Sequence, residues 1–201
     1  MDINTNIFRA YDIRGVAYED LTEELVSNIG KSLGTSSLNR GENLLIVARD
    51  GRNSSPDMYE WLSGGIRSTG CNVLNIGIVP TPLLYFSTFK LSSSSGVMIT
   101  GSHNPPEYNG FKIVRDNKTI SGETIQEVKL NILENKFLTG KGLVSETEIV
   151  EMYSDELRNN IDILRPVKLA IDCGNGAASI LAKAVYESLG CEVESIYSSL
   201  D

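Results

Sequence analysis

The residues best suited to chemistry lie in one stretch, Thr100-Gly101-Ser102-His103-Asn104-Pro105-Pro106. It sets a hydroxyl in a tight loop directly after the apolar run from Gly96 to Thr100. Gly101 permits close backbone approach, while Pro105 and Pro106 stiffen the exit and bias Asn104 toward extended geometry. Such a loop holds Ser102 at a fixed angle, yet a serine hydroxyl is a weak nucleophile until a base or a charge activates it. His103, the single histidine of the chain, is its neighbour. Adjacent residues in an extended segment point opposite ways, so a direct Ser–His dyad is not implied and His103 could serve loop hydrogen bonding alone. Lys112, within Asn109-Gly110-Phe111-Lys112-Ile113, falls where a return strand would bring an ammonium back beside the loop. A cation there would steady a phosphate or ease a proton transfer; without the loop it would read as a solvated lysine.

Three other segments invite chemistry. Phe8 to Gly15 sets Arg9, Tyr11 and Arg14 around an apolar seam, and arginine forks suit bidentate phosphate contacts. The plainer reading is a surface ion pair of Arg9 or Arg14 with Asp12, which is worth little. Arg49-Asp50-Gly51-Arg52 reads as a charged turn. Asp172-Cys173-Gly174-Asn175-Gly176-Ala177-Ala178-Ser179 resembles a GxGxxG fingerprint, but Ser179 stands where the third glycine belongs. Close packing of a helix on a strand is the preferred account of those glycines.

The elements that position these residues alternate between short apolar runs and segments of helical period, the pattern of an α/β fold. Leu21, Leu25, Ile29 and Leu33 predict a helix opened by Asp20 or Thr22, and Leu44 to Ala48 a strand. Further helices are predicted near 57–69, 82–90, 121–135, 149–162 and 177–189. Strands are predicted at 72–77, 96–100, 111–114, 167–172 and 191–197. The loops at 49–56, 77–82 and 100–110 all follow strands, where open α/β sheets bind ligands. Phe137 to Leu143 (FLTGKGL) reads as a link between domains.

A length of 201 residues exceeds one typical domain of about 150. The division expected is a first domain over 1–148 and the incomplete start of a second similar domain over 149–201, since two strands and a helix cannot close an ordinary core. The net charge of −8 excludes a nucleic-acid partner, because an acidic surface repels phosphate backbones and only a local basic site could grip a phosphate. No run reaches the roughly 18 apolar residues of a membrane span and the N-terminus lacks the pattern of a leader, so no membrane role and a cytoplasmic location are expected. Cys71, Cys173 and Cys191 are too few and too scattered for a disulfide framework or a zinc ribbon.

Taken together, FRAYDIRG (8–15), RDGR (49–52), VPTP (79–82), TGSHNPPEYNGFKI (100–113) and DCGNG (172–176) resemble the α-D-phosphohexomutases, in order and across nearly the whole chain. The likeness is to their bacterial phosphomannomutase/phosphoglucomutase group. It implies a mixed, mostly parallel sheet sandwiched by helices, in a four-domain cytoplasmic isomerase that acts on a phosphorylated hexose. In such enzymes a phosphoserine donates its phosphoryl group to a hexose 1- or 6-phosphate, and the hexose 1,6-bisphosphate, which is also the activator, returns its other phosphate. Ser102 matches that serine. The resemblance also implies that His103 and Lys112 serve proton transfer beside it, and that Tyr11, Arg14, Arg9 and Asn104 lie toward the substrate or its phosphate. Mg²⁺ would be held by phosphorylated Ser102 and three aspartates of a DGDGDR-type loop, a run this sequence does not contain. The 201 residues are thus expected to be the N-terminal part of a mutase, inactive alone. A nucleotide-binding α/β module and a noncatalytic truncated paralogue are the alternatives.

Overall fold

The computed structural model describes residues 4–201, and it places one mixed sheet between two layers of helices. In chain order the elements are β1 (Ile13–Val16), α1 (Glu23–Asn39), β2 (Leu44–Arg49), α2 (Ser55–Arg67), β3 (Asn72–Ile78), α3 (Thr81–Lys90), β4 (Gly96–Ile99) and β5 (Tyr108–Arg115). There follow β6 (Lys118–Thr119), α4 (Glu123–Leu133), β7 (Val144–Glu146), α5 (Val150–Asn160), β8 (Lys168–Asp172), α6 (Ala182–Ser188) and β9 (Glu192–Ile196). The main sheet runs β1-β5-β4-β2-β3-β7, with β6 paired to β5. β4, β2, β3 and β7 are parallel neighbours, while β5 runs antiparallel to both β4 and β1.

Alternation along the central strands builds both cores. Leu45 and Val47 of β2 and Val97 and Ile99 of β4 face a core closed by Leu25, Ile29, Met58, Leu62 and Ile125 of α1, α2 and α4. Ile46, Ala48 and Met98 face the other way, onto Leu83 and Leu84 of α3. That two-residue period is what a strand covered on both faces requires. Thr22 caps α1 as its position suggests, its hydroxyl accepting from Leu25 N–H at 3.4 Å. Where α1 crosses α2, Gly30 and Gly65 allow near backbone contact: a Cβ on Gly65 would lie 2.1 Å from the Ser27 carbonyl oxygen.

Three expectations about the second half need correcting. The stretch 137–143 is not a free link: Gly140 and Gly142 donate to the Ser68 and Arg67 carbonyls at 2.8 Å each, and the chain then forms β7 beside β3. The helix predicted over 177–189 is broken, a 3₁₀ turn at Ala177–Ile180 giving way at Leu181 to the short α6. The glycines of the DCGNG turn do not pack a helix on a strand. A Cβ on Gly174 would meet nothing within 4 Å, and Gly174 and Asn175 instead take left-handed φ values of 53° each to turn the chain. β8 and β9 form a separate parallel pair, and Leu181 and Val185 pack into the same core as α3.

Candidate active site

Loops from the carboxyl ends of β2, β4 and β8 meet at a cleft of about 550 Å³, with Asp50, Arg52, Thr81, Ser102, Asn104 and Asn175 among its lining residues. The position is the one topology favours, beyond the ends of the parallel strands. Ser102 sits on the first turn after β4 with φ 55°, the left-handed region that non-glycine residues rarely enter. The turn is built locally: Ser102 N–H donates to the Thr100 hydroxyl at 2.9 Å and Asn104 N–H to the Gly101 carbonyl at 3.1 Å. Because the segment is not extended, His103 does not point away. Its Nδ1 lies 3.4 Å from Ser102 Oγ, a long contact between two exposed side chains.

The cations arrive from the antiparallel edge of the sheet. Lys112 pairs across β5 with Met98 of β4, and Arg14 on β1 faces Gly110 of β5. The ion pair of Arg14 with Asp12 is not a surface pair: both side chains are about nine-tenths buried, which makes their hydrogen bond far more than a solvated contact. Arg14 donates its other terminal nitrogen to the Asn104 side-chain oxygen and so ties β1 to the serine loop. Lys112 Nζ stands 4.0 Å from the same Asp12 oxygen. Two residues lie apart from this group. Tyr11 is 74% exposed, and Arg9 reaches Asp12 only through its backbone N–H, while its charge acts on Asp20. The Asp20 carboxyl is held below its usual range, chiefly by the hydrogen bond from Val16 N–H and next by that from Asn4.

The turn after β2 does more than carry charge. Asp50 Oδ2 accepts from Gly101 N–H at 3.3 Å, and its Oδ1 accepts from the Ser55 hydroxyl at 2.6 Å, linking the start of α2 to the serine loop. Fully buried Asn109 completes that link, donating to the Ser54 and Ser55 hydroxyls at 2.9 and 3.0 Å. The sequence suggested only a charged turn for Asp50 and Arg52 and a surface partner for Asp12, and it assigned Asn109 no role. The usable signal was position: RDGR closes a strand directly, as TGSHN does.

A family model described as phosphoglucomutase/phosphomannomutase, alpha/beta/alpha domain I, matches residues 5–139. The chain belongs to the phosphoglucomutase/phosphomannomutase family. A phosphomannomutase/phosphoglucomutase of Pseudomonas aeruginosa is 45% identical over 98% of this chain but only 42% of its own length. A phosphoglucomutase of Neisseria gonorrhoeae is 39% identical over 99% of this chain and 44% of its own. The crystal structure of a phosphoglucomutase/phosphomannomutase family protein from Burkholderia thailandensis superposes with a TM-score of 0.95 at 38% identity, covering 100% of this chain and 45% of that one. The chain therefore spans less than half the length of the relatives it matches. For this family member, the described residues contain no group of three or more His, Cys, Asp or Glu side chains that could hold a metal ion. They do not by themselves fit Mg²⁺. No described helix is long and apolar enough to cross a membrane.

Proposed function

We propose that the chain is the N-terminal part of a phosphohexomutase and that Ser102 carries the phosphoryl group. The observation behind this reading is the presentation of Ser102: a hydroxyl held in a left-handed turn at the mouth of the cleft, with Arg14 joined to its loop through Asn104. Phosphoryl transfer depends on positioning and charge stabilisation more than on covalent chemistry from the protein, and this loop supplies positioning.

In the proposed cycle the bond between Ser102 Oγ and phosphorus breaks as a hexose monophosphate hydroxyl bonds to that phosphorus. The hydroxyl proton ends on Ser102 Oγ, with His103 as the relay at 3.4 Å and Lys112 stabilising charge. The resulting hexose 1,6-bisphosphate returns its other phosphate to Ser102, so 1- and 6-phosphates interconvert. Phosphorylation adds about −1.5 to −2 charge to a chain already at −8, and Arg14 and Lys112 are proposed to offset it. Tyr11 and Arg9, both exposed, are proposed to meet substrate. Residues 1–148 are proposed as the first domain and 149–201 as the opening of the second. No step is assigned to a metal, whose carboxylate ligands these residues lack. Free thiols at Cys71, Cys173 and Cys191 suit a cytoplasmic setting.

The deciding experiment is a hybrid in which residues 1–201 replace the matching part of the Pseudomonas aeruginosa relative. It is assayed for conversion of glucose 1-phosphate to the 6-phosphate with hexose 1,6-bisphosphate present. Intact mass should show a phosphate adduct that Ser102→Ala removes along with turnover. An adduct that persists at the same stoichiometry in that variant would refute the assignment.

A further inference from the structure

We propose that Arg52 is the positioning residue of the Ser102 loop, a role that rests on the reading of Ser102 as the phosphoryl carrier. Its guanidinium gathers four loop carbonyls. One terminal nitrogen donates to the Pro105 and Tyr108 oxygens at 2.6 and 3.0 Å, the other to those of Ser102 and Asn104 at 3.0 and 2.6 Å. Nε faces Asp50 Oδ2 at 3.4 Å. An arginine has five N–H donors in a fixed fork; here the four on the terminal nitrogens are taken by carbonyls and Nε is ion-paired with Asp50, which leaves no free edge of the fork for a substrate phosphate. Arg52 thus shapes the loop rather than binding what the loop serves.

The loop sequence fits this occupant. A Cβ on Gly101 would lie 2.4 Å from Arg52 Cζ, 2.5 Å from its Nε and 2.7 Å from the Tyr108 carbonyl oxygen that Arg52 also holds, so the backbone comes this close to the guanidinium because glycine stands there. The next residue, Ser102, adopts φ 55° and offers its carbonyl to that guanidinium. A left-handed serine persists when its surroundings over-determine it, and the four carbonyls do so from both sides of the turn. Asp50 anchors the cation in turn, through Arg52 N–H at 3.1 Å and the Ser55 hydroxyl at 2.6 Å. Lysine, a compact charge with three donors, cannot span four carbonyls arranged on a fork.

The test uses the whole 201-residue chain with Arg52→Lys, Arg52→Gln and, as an independent perturbation of the same contact, Gly101→Ala. Hydrogen exchange followed by mass spectrometry should show at least tenfold faster exchange at the loop amides, including Ser102, Asn104 and Tyr108, with α1 and β2 unchanged. The chain has one histidine and one tryptophan, so the imidazole signal of His103 reports the loop and the indole signal of Trp61 reports α2. In each variant the first should shift or broaden while the second stays in place. Where the chain or the hybrid takes phosphate from hexose 1,6-bisphosphate, Arg52→Lys should slow phosphorylation of Ser102 at least tenfold. Loop exchange and a His103 signal equal to wild type would overturn the proposal, and so would equal acceleration at α1, β2 and the loop. The exchange and spectral measurements need no phosphoryl transfer. A wild-type Ser102 that takes no phosphate would therefore defeat the proposed function and leave the placement of the loop by Arg52 to be judged on its own.

Discussion

The carboxylate of Asp12 lies 4.0 Å from the Lys112 ammonium, and the same oxygen accepts the hydrogen bond from Arg14. One buried anion thereby sets the spacing of two cations on neighbouring strands. Asp12→Asn should leave both without their countercharge. Removing a charged partner from a buried hydrogen bond costs about 1–3 kcal/mol, and urea unfolding should show a loss of that size. Lys112→Met should cost less, since its ammonium is partly solvated, and the two changes together should cost less than their sum. Strict additivity would mean that Lys112 and Asp12 do not interact.

The left-handed backbone at Ser102 makes a second expectation unusual in sign. A non-glycine residue there costs roughly 1–2 kcal/mol, so Ser102→Gly should raise stability relative to Ser102→Ala by about 1 kcal/mol, although glycine loses more chain entropy on folding. Thermal unfolding of the two variants decides it. A Ser102→Ala chain as stable as Ser102→Gly would show that the turn relaxes out of the left-handed region.

What could be read in advance follows from how local each cause is. α1 was legible because the cap at Thr22 and the spacing of Leu25, Ile29 and Leu33 are written within one helix. The loop at Ser102 was legible because glycine and proline constrain their own neighbours. Arg52 was not, because its four carbonyls lie 50 to 56 residues away, and nothing in Arg49-Asp50-Gly51-Arg52 says where they will be. The burial of the Asp12–Arg14 pair was hidden for the same reason, depending as it does on β5 closing over β1. β7 escaped because three exposed residues carry no period, and the glycines before it imitate a linker.

At the opposite end of the sheet, Glu42 offers a pH-dependent measurement. Burial alone would raise its pKa, but the neighbouring Ser95 side chain and hydrogen bonds from the Ser93 hydroxyl and from the backbone and hydroxyl of Ser94 outweigh it and hold the carboxyl below its ordinary value. A depressed folded-state pKa adds stability above the unfolded value of about 4.3, and that stability is lost as pH falls through the folded value. Glu42→Gln should therefore be less stable than wild type at pH 7, with the gap closing below about pH 4. Urea midpoints measured from pH 7 to pH 3 test this. A gap that stays constant to pH 3 would trace the effect to packing and not to the charge.

Gly142 tests whether the stretch before β7 is packed rather than linking. A Cβ there would lie 2.0 Å from the Cys71 carbonyl oxygen and 2.6 Å from its carbon. Both are backbone atoms of the turn into β3, so they cannot swing aside as a flexible side-chain tip would. Gly142→Ala must therefore push the segment off Arg67 and Cys71, breaking the 2.8 Å bond from Gly142 N–H to the Arg67 carbonyl and drawing β7 away from β3. Forcing a methyl group into a closed contact costs about 1–3 kcal/mol. Gly64 is the matched control, because it lies inside α2 and a Cβ there would meet nothing within 4 Å. There alanine should stabilise by about 0.5–1 kcal/mol, the ordinary gain over glycine in a helix. Urea unfolding of the two variants should thus move in opposite directions, and amide exchange in β3 should quicken only in Gly142→Ala. If both substitutions stabilised the chain, residues 137–143 would be a loose connection after all, and the pairing of β7 with β3 would not survive in solution.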